Sequence, residues 1–292
     1  MNVHPPRIGH ALALFLPREP PSTEMLVREF ERYLERWGNE LRWWSDADHE
    51  PWRRMTPELG AYPRRRLLEK PRKKASDFET YAHGGEEGDA PHPFFVSLSL
   101  RLPDLDAVHG LLEMWKTDVV DAEALLDETL AAARHLQPRQ GFAGLALVPW
   151  VDHEVCQDAC EIQFALSQQF DGLEMIDAWF TKNATPESVC SVQWLTIVHD
   201  SILARIGGRA VLDNLPPGIT VHDYGSGVVI QAGDAPSAGD VNKGETIPLY
   251  RAVARKLAPL RPERILPFNI EEPRSLGREE TLRWYRRLER EP

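Results

Sequence analysis

The sequence predicts an α+β protein, a mainly antiparallel sheet packed with helices. Three observations predict it. Strand-like and helix-like segments are interspersed without the strict alternation of a parallel α/β fold. The first strand-like run is followed by Pro17-Arg18-Glu19-Pro20, where a doubly wound fold would place a glycine-rich turn. Hydrophobic residues make up 42% of the 292, enough to bury a full core and to exclude disorder over most of the chain.

The elements follow in order. Ile8 to Leu16 reads as a strand stopped by Pro17, Pro20 and Pro21. Ser22 or Thr23 offers an N-cap, and Leu26, Phe30, Tyr33, Leu34 and Trp37 then recur at helical spacing. Gly38 stands where a helix ends in a C-cap glycine. Residues 39–92 are less regular, and Trp43, Trp44 and Trp52 suggest anchoring into a core. Phe94 to Leu102 alternates as a half-buried strand, and Asp104 to Trp115 reads as a helix. A strand followed by an amphipathic helix is thus expected twice, at 8–37 and 94–115, without a repeat in the sequence itself.

Asp121 to Leu136 is rich in Ala, Leu and Glu and ends before Pro138, so it predicts a helix. Phe142 to Val148 predicts a strand, and 154–169 is compatible with a helix. Val192 to Ile206 is apolar, helix-length and closed by Gly207-Gly208. Val228 to Ala232 predicts a short buried strand. Ile247 to Leu257 predicts a helix with Pro248 in its first turn. Thr281 to Leu288 predicts a terminal basic helix. The chain is expected to form one domain over 1–292, with a sub-boundary conceivable in the Gly-, acid- and Pro-rich loop 83–93.

Charge narrows the function classes. Asp plus Glu number 45 against 34 Lys plus Arg, a formal charge of −11. Nucleic acid is therefore not the expected partner, whereas a basic protein is permitted. No apolar run approaches the roughly 18 residues of a membrane span. The run Ala11–Leu16 is too short for a signal peptide core. Three cysteines form no disulfide framework and fit a reducing compartment. The expectation is a cytoplasmic protein with no membrane partner and no cofactor.

Few motifs carry chemistry. Cys156 and Cys160, four residues apart, share a face if their segment is a helix, with His153 nearby, but no second ligand pair exists, so two small core residues are the better reading than zinc. His199-Asp200 matches the dipeptide of metal phosphohydrolases without persuasive partners. The loop Gly233–Glu245 places Asp240 after Gly239, where a phosphate loop needs Lys and then Ser or Thr. It reads as a turn-rich connection. The basic run Arg64, Arg65, Arg66, Lys70, Arg72, Lys73, Lys74 lacks clear aromatic interleaving, which favours a solvated or loop role. No nucleophile elbow and no His-Glu-x-x-His is present.

One stretch stands out by charge. Asp152, Glu154, Asp158, Glu161, Asp171, Glu174 and Asp177 occur with no Lys or Arg among them. Such a cluster is either a surface that meets a basic partner or the solvated face of an acidic protein.

The C-terminal third carries a resemblance. Trp194-Leu195-Thr196-Ile197, Gly207-Gly208, Val229-Ile230-Gln231-Ala232-Gly233, Pro236, Gly239-Asp240-Val241-Asn242, Pro248 to Ala254 and Leu257 to Arg261 resemble the type VI secretion immunity family (DUF3396, TsiV-like). Membership implies an antidote in the producing bacterium's cytoplasm that binds and neutralises a cognate effector toxin, in some cases a nuclease. It implies no catalytic residue. The acidic stretch, Asp152, Glu154, Asp158 and Glu161 first and Asp171, Glu174 and Asp177 second, is then the expected toxin contact. A scaffold protein of a bacterial assembly and a metal-dependent hydrolase are the alternatives.

Overall fold

The computed structural model describes residues 7–16, 23–46, 52–69, 78–87, 94–100, 110–116, 121–148, 165–175, 187–263 and 278–290. Among them one sheet of eleven strands dominates. Its strands are β1 (Arg7–Leu16), β2 (Trp43–Asp46), β3 (Arg53–Arg54), β4 (Phe78–His83), β5 (Phe94–Leu100) and β6 (Gly110–Lys116). The second half adds β7 (Gln140–Val148), β8 (Glu174–Met175), β9 (Leu195–His199), β10 (Ile219–Asp223) and β11 (Gly227–Ala232). The order is β10-β11-β9-β7-β1-β6-β5-β4-β2-β3, with β8 joining β7. Every pairing is antiparallel except β7 with β8. The expected α+β class is what the structure shows.

β1 lies in the middle because it is apolar on both faces. Leu12, Leu14 and Leu16 enter one core, and Ala11, Ala13 and Phe15 enter the other. In register, Leu14 faces Leu112 of β6 and Gly141 of β7. On the larger face lie α1 (Thr23–Trp37) and α4 (Ala122–Leu136), the short turns α2 (Pro57–Gly60) and α3 (Tyr62–Arg64) preceding α4 in the chain. α1 contributes Leu26, Phe30 and Tyr33, and α4 contributes Leu125, Ala133 and Leu136. Further along come α5 (Asp200–Leu203), α6 (Pro248–Leu257) and α7 (Arg278–Tyr285). α6 packs Tyr250, Val253 and Leu257 into the larger core. α7 sends Trp284 and Tyr285 into the smaller one, beside Leu173 and Met175.

Two helices expected from the sequence are strands. Residues 110–116, placed in a helix by their Leu, Glu and Met, form β6 between β5 and β1. Both neighbours supply ladder bonds, and Leu112 and Met114 are buried on one face. Tertiary pairing overrides a modest local helix preference here. The second strand–helix unit at 94–115 is accordingly a hairpin, β5–β6. The run 192–206 splits into β9, the single-turn α5 and a 3-10 turn Ala204–Ile206. β9 is buried from Leu195 to Val198 because it lies between β7 and β11, so it shows no polar alternation. The sequence reading also missed β2, β4 and β10.

Other expectations shift by a few residues. α7 covers Arg278–Tyr285 rather than 281–288. Residues 165–169 are helical, and the rest of 154–169 lies outside the described residues, as does 101–109. β4 and β5 pair across the loop at 83–93. Gly38 does follow α1, for a different reason than a left-handed C-cap. A Cβ there would sit 2.3 Å from the Leu34 carbonyl oxygen, so close backbone approach requires glycine. Gly207 and Gly208 do take positive φ, at 109° and 75°.

α1 and α4 meet through charge as well as apolar packing. Glu29 and Glu128 are both nearly inaccessible. Arg32 bonds to Glu29 through Nη2 at 2.6 Å and to Glu128 through Nη1 at 3.2 Å. Arg36 adds a second ion pair to Glu128, and His135 Nδ1 lies 2.9 Å from Glu29.

Candidate functional site

A cleft rich in charge lies where α6, α7 and the segment 167–171 converge. Its volume is about 210 Å³. Arg251 enters from α6, Arg283 and Trp284 from α7, and Arg287 and Arg290 from the turns that follow. Ser167, Gln168 and Asp171 complete its described lining.

The wall is fixed by main-chain contacts. Asp171 N–H donates to the Gly239 carbonyl at 3.1 Å, and Gly172 N–H donates to the Ala238 carbonyl at 2.8 Å. The loop that presents these carbonyls is held by Asp240. Its carboxylate accepts from Asn242 N–H at 3.0 Å, while Glu245 accepts from Asp240 N–H at 3.0 Å. This is the turn-rich connection expected for 233–245. The Asp240 carboxylate is engaged by the Asn242 backbone and by the side chains of Gln169 and Lys243, each at 3.4 Å.

Arg251 donates to the carbonyls of Arg287 and Arg290 at 3.1 and 3.0 Å and forms an ion pair with Asp171. Arg287 donates Nε–H to the Asp171 carbonyl at 2.8 Å, and Nη2 and Nη1 to those of Leu173 and Trp284 at 2.6 and 3.3 Å. Its guanidinium also stacks over the Trp284 ring at 4.1 Å. Burial, with Arg261 and Arg251 nearby, lowers the pKa of Arg287, and the carboxylates of Glu174 and Asp171 oppose that shift.

These arginines bear on the acidic stretch. Of its seven members, Asp171 and Glu174 are described; Asp152, Glu154, Asp158, Glu161 and Asp177 lie outside the described residues, together with His153, Cys156 and Cys160. Asp171 is ion-paired to Arg251. Glu174 is only 3% exposed and accepts from Ser191 Oγ–H and from Met175 N–H at 3.2 Å. Self-repulsion at these two positions is therefore relieved from within. The compensating arginines lie about 80 and 116 residues away in sequence, where no local pattern reveals them.

The His199-Asp200 pair is structural. His199 caps α5, its Nδ1 accepting from Ser201 N–H at 3.1 Å. Burial, and secondarily Arg139, lower its pKa. Both oxygens of Asp200 receive Arg209, from Nε at 2.7 Å and Nη2 at 2.8 Å. Arg209 also reaches Asp223 at 2.7 Å, tying α5 to the β10–β11 hairpin. Among the described residues no group of three or more His, Cys, Asp and Glu is placed to hold a metal. In the basic run, Arg64 is committed to Glu31 through bonds of 2.7 and 2.6 Å. Among the described residues no helix is long and apolar enough to cross a membrane.

Comparison with known proteins gives the class. A family model described as type VI immunity for VRR-NUC matches residues 25–288, which makes this chain a type VI secretion immunity protein. It belongs to the TsiV family. Among solved structures, the chain is similar to the Pseudomonas aeruginosa T6SS protein PA0821, with a TM-score of 0.77 and 20% identity. That match covers 96% of this chain and 81% of the other, so the two share a fold. A second match is the toxic C-terminal tip of CdiA from Pseudomonas aeruginosa in complex with its immune protein. Its TM-score is 0.25 at 10% identity, over 50% of this chain and 91% of that one, too low to indicate a common fold. Comparison with curated proteins finds no significant match.

Proposed function

We propose that this immunity protein acts without catalysis, in the cytoplasm, by binding a cognate toxin of the VRR-NUC nuclease class. The family match carries this reading. The commitment of His199 to a helix cap and of Asp200 to Arg209 supports the non-catalytic part. We read 1–292 as a single immunity-type domain, supported by the pairing of β4 with β5 across the 83–93 loop.

The proposed toxin contact is the acidic stretch, led by Asp152, Glu154, Asp158 and Glu161 and followed by Asp177, with Asp171 and the buried Glu174 supporting it from within the fold. A nuclease is basic where it grips phosphate, and an acidic inhibitor is steered onto such a surface. Asp171 and Glu174 act through the fold, anchoring the end of the stretch to Arg251 and Ser191.

The test is co-expression. The open reading frame beside this gene is induced in a heterologous bacterium with and without the chain, and complexes are purified. Rescue with a stoichiometric complex is expected. A toxic neighbour that is neither rescued nor bound overturns the reading in favour of a scaffold role. Replacing the four leading acids by Asn and Gln should slow association and increase its independence from salt. An unchanged on-rate removes them as the contact.

A further inference from the structure

The arginine cleft is unusual on a chain of formal charge −11. Among the described residues, Arg251, Arg283, Arg287 and Arg290 line it with one carboxylate, Asp171. The inner pair is rigid. Arg287 spends its described bonds on three main-chain carbonyls, which orient the guanidinium without neutralising it. Arg251 shares its charge with Asp171, and its Nε is buried with no hydrogen-bond partner. The outer pair, Arg283 and Arg290, is exposed, and neither forms an ion pair with a carboxylate among the described residues, although Arg290 is close enough to Glu289 for its charge to act there. Four like charges around a partly desolvated hollow repel one another, and among the described residues Asp171 in the lining, with Glu174 also acting on Arg287, offsets part of that cost.

We propose that this cleft is an oxyanion site that takes a phosphate or carboxylate group. Guanidinium forks match both groups bidentately, and the two exposed forks stand where an arriving group would meet them. The inner arginines, fixed by backbone, supply a preset positive potential at its floor. The cleft is open, so the group can belong to a small phosphate compound or to an acidic side chain presented by a protein. The inference does not depend on the antidote reading.

The test is isothermal titration of the full chain in chloride buffer at constant ionic strength. The probes are inorganic phosphate and a tetraglutamate peptide. One-to-one binding of at least one probe is expected, weakened about tenfold or more in the Arg283→Gln/Arg290→Gln variant. Tighter phosphate binding assigns the cleft to a phosphate compound, and tighter peptide binding assigns it to an acidic protein segment. Absence of binding by both probes at ~10 mM overturns the proposal, as does equal binding by the variant. Thermal melts establish that the variant is folded, and Arg283→Gln alone serves if the double variant is not. Toxin rescue in cells is scored separately, so failure here leaves the antidote reading standing.

Discussion

Replacing Glu128 by Ala tests whether charge, as well as apolar packing, joins α1 to α4. The carboxylate is 3% exposed and receives Arg32 and Arg36. Those arginines are 28% and 40% exposed on their side chains. Breaking a fully buried pair costs about 3–5 kcal/mol. Two features reduce that figure here. Arg32 keeps Glu29, through bonds of 2.6 and 3.1 Å. Arg36 can turn to water, so its contact is worth about 1 kcal/mol at most. The loss of the Arg32 contact and of side-chain packing adds about 1–2 kcal/mol. The expected total is about 2–3 kcal/mol, a melting shift of roughly 4–6 °C in a chain of this size. Urea unfolding of the wild type, Glu128→Ala, Arg32→Met and the double variant measures it as a cycle. A coupling energy below about 0.5 kcal/mol refutes the reasoning and leaves the interface to its apolar residues.

Two further outcomes follow from local geometry. His199 keeps its pKa below the ordinary 6.5, so the unfolded chain binds that proton first as pH falls. Its contribution to stability is complete above about pH 6.5 and is lost as pH falls toward the depressed native value. His199→Asn keeps a capping acceptor, and the fall in urea midpoint between about pH 7.5 and about pH 5.5 should be smaller than in the wild type. Gly227→Ala places a Cβ 2.3 Å from Tyr224 Oη and 2.5 Å from the Val198 carbonyl. Tyr224 is itself held by a 2.7 Å bond to the Pro138 carbonyl, so the clash should cost about 3 kcal/mol or more, read as a lower urea midpoint.

The sequence made the fold class legible because its strongest signals are local ones. α1, α4 and α6 each carry helical periodicity and a recognisable start, Pro248 at the first turn of α6 among them. β9 is read as helix because a strand buried on both sides loses the alternation that marks a strand, and β6 because its Leu, Glu and Met favour helix locally. In β9 the branched Thr196, Ile197 and Val198 were the available cue, outweighed by the run's length. The site was less legible. Acids at 152–177 are visible as a cluster, but Arg251 and Arg287 reach Asp171 only through the folded chain. The arginine cleft is assembled from α6, α7 and the 167–171 segment, so no window of sequence contains it.

The central position of β1 has a consequence for synthesis. Its two neighbours, β6 and β7, lie roughly 100 and 130 residues downstream, and such distant pairing is slow to close. At ribosomal rates of about 5–20 residues per second, β1 waits on the order of ten seconds for both. During that time α1 can cover the Leu12, Leu14 and Leu16 side, but both edges of the strand and the Ala11, Ala13 and Phe15 side wait for partners made later. Nascent chains of this protein should therefore engage holdase chaperones until β7 emerges. A cell that relies on the antidote must complete almost half the chain before any of it can begin to protect.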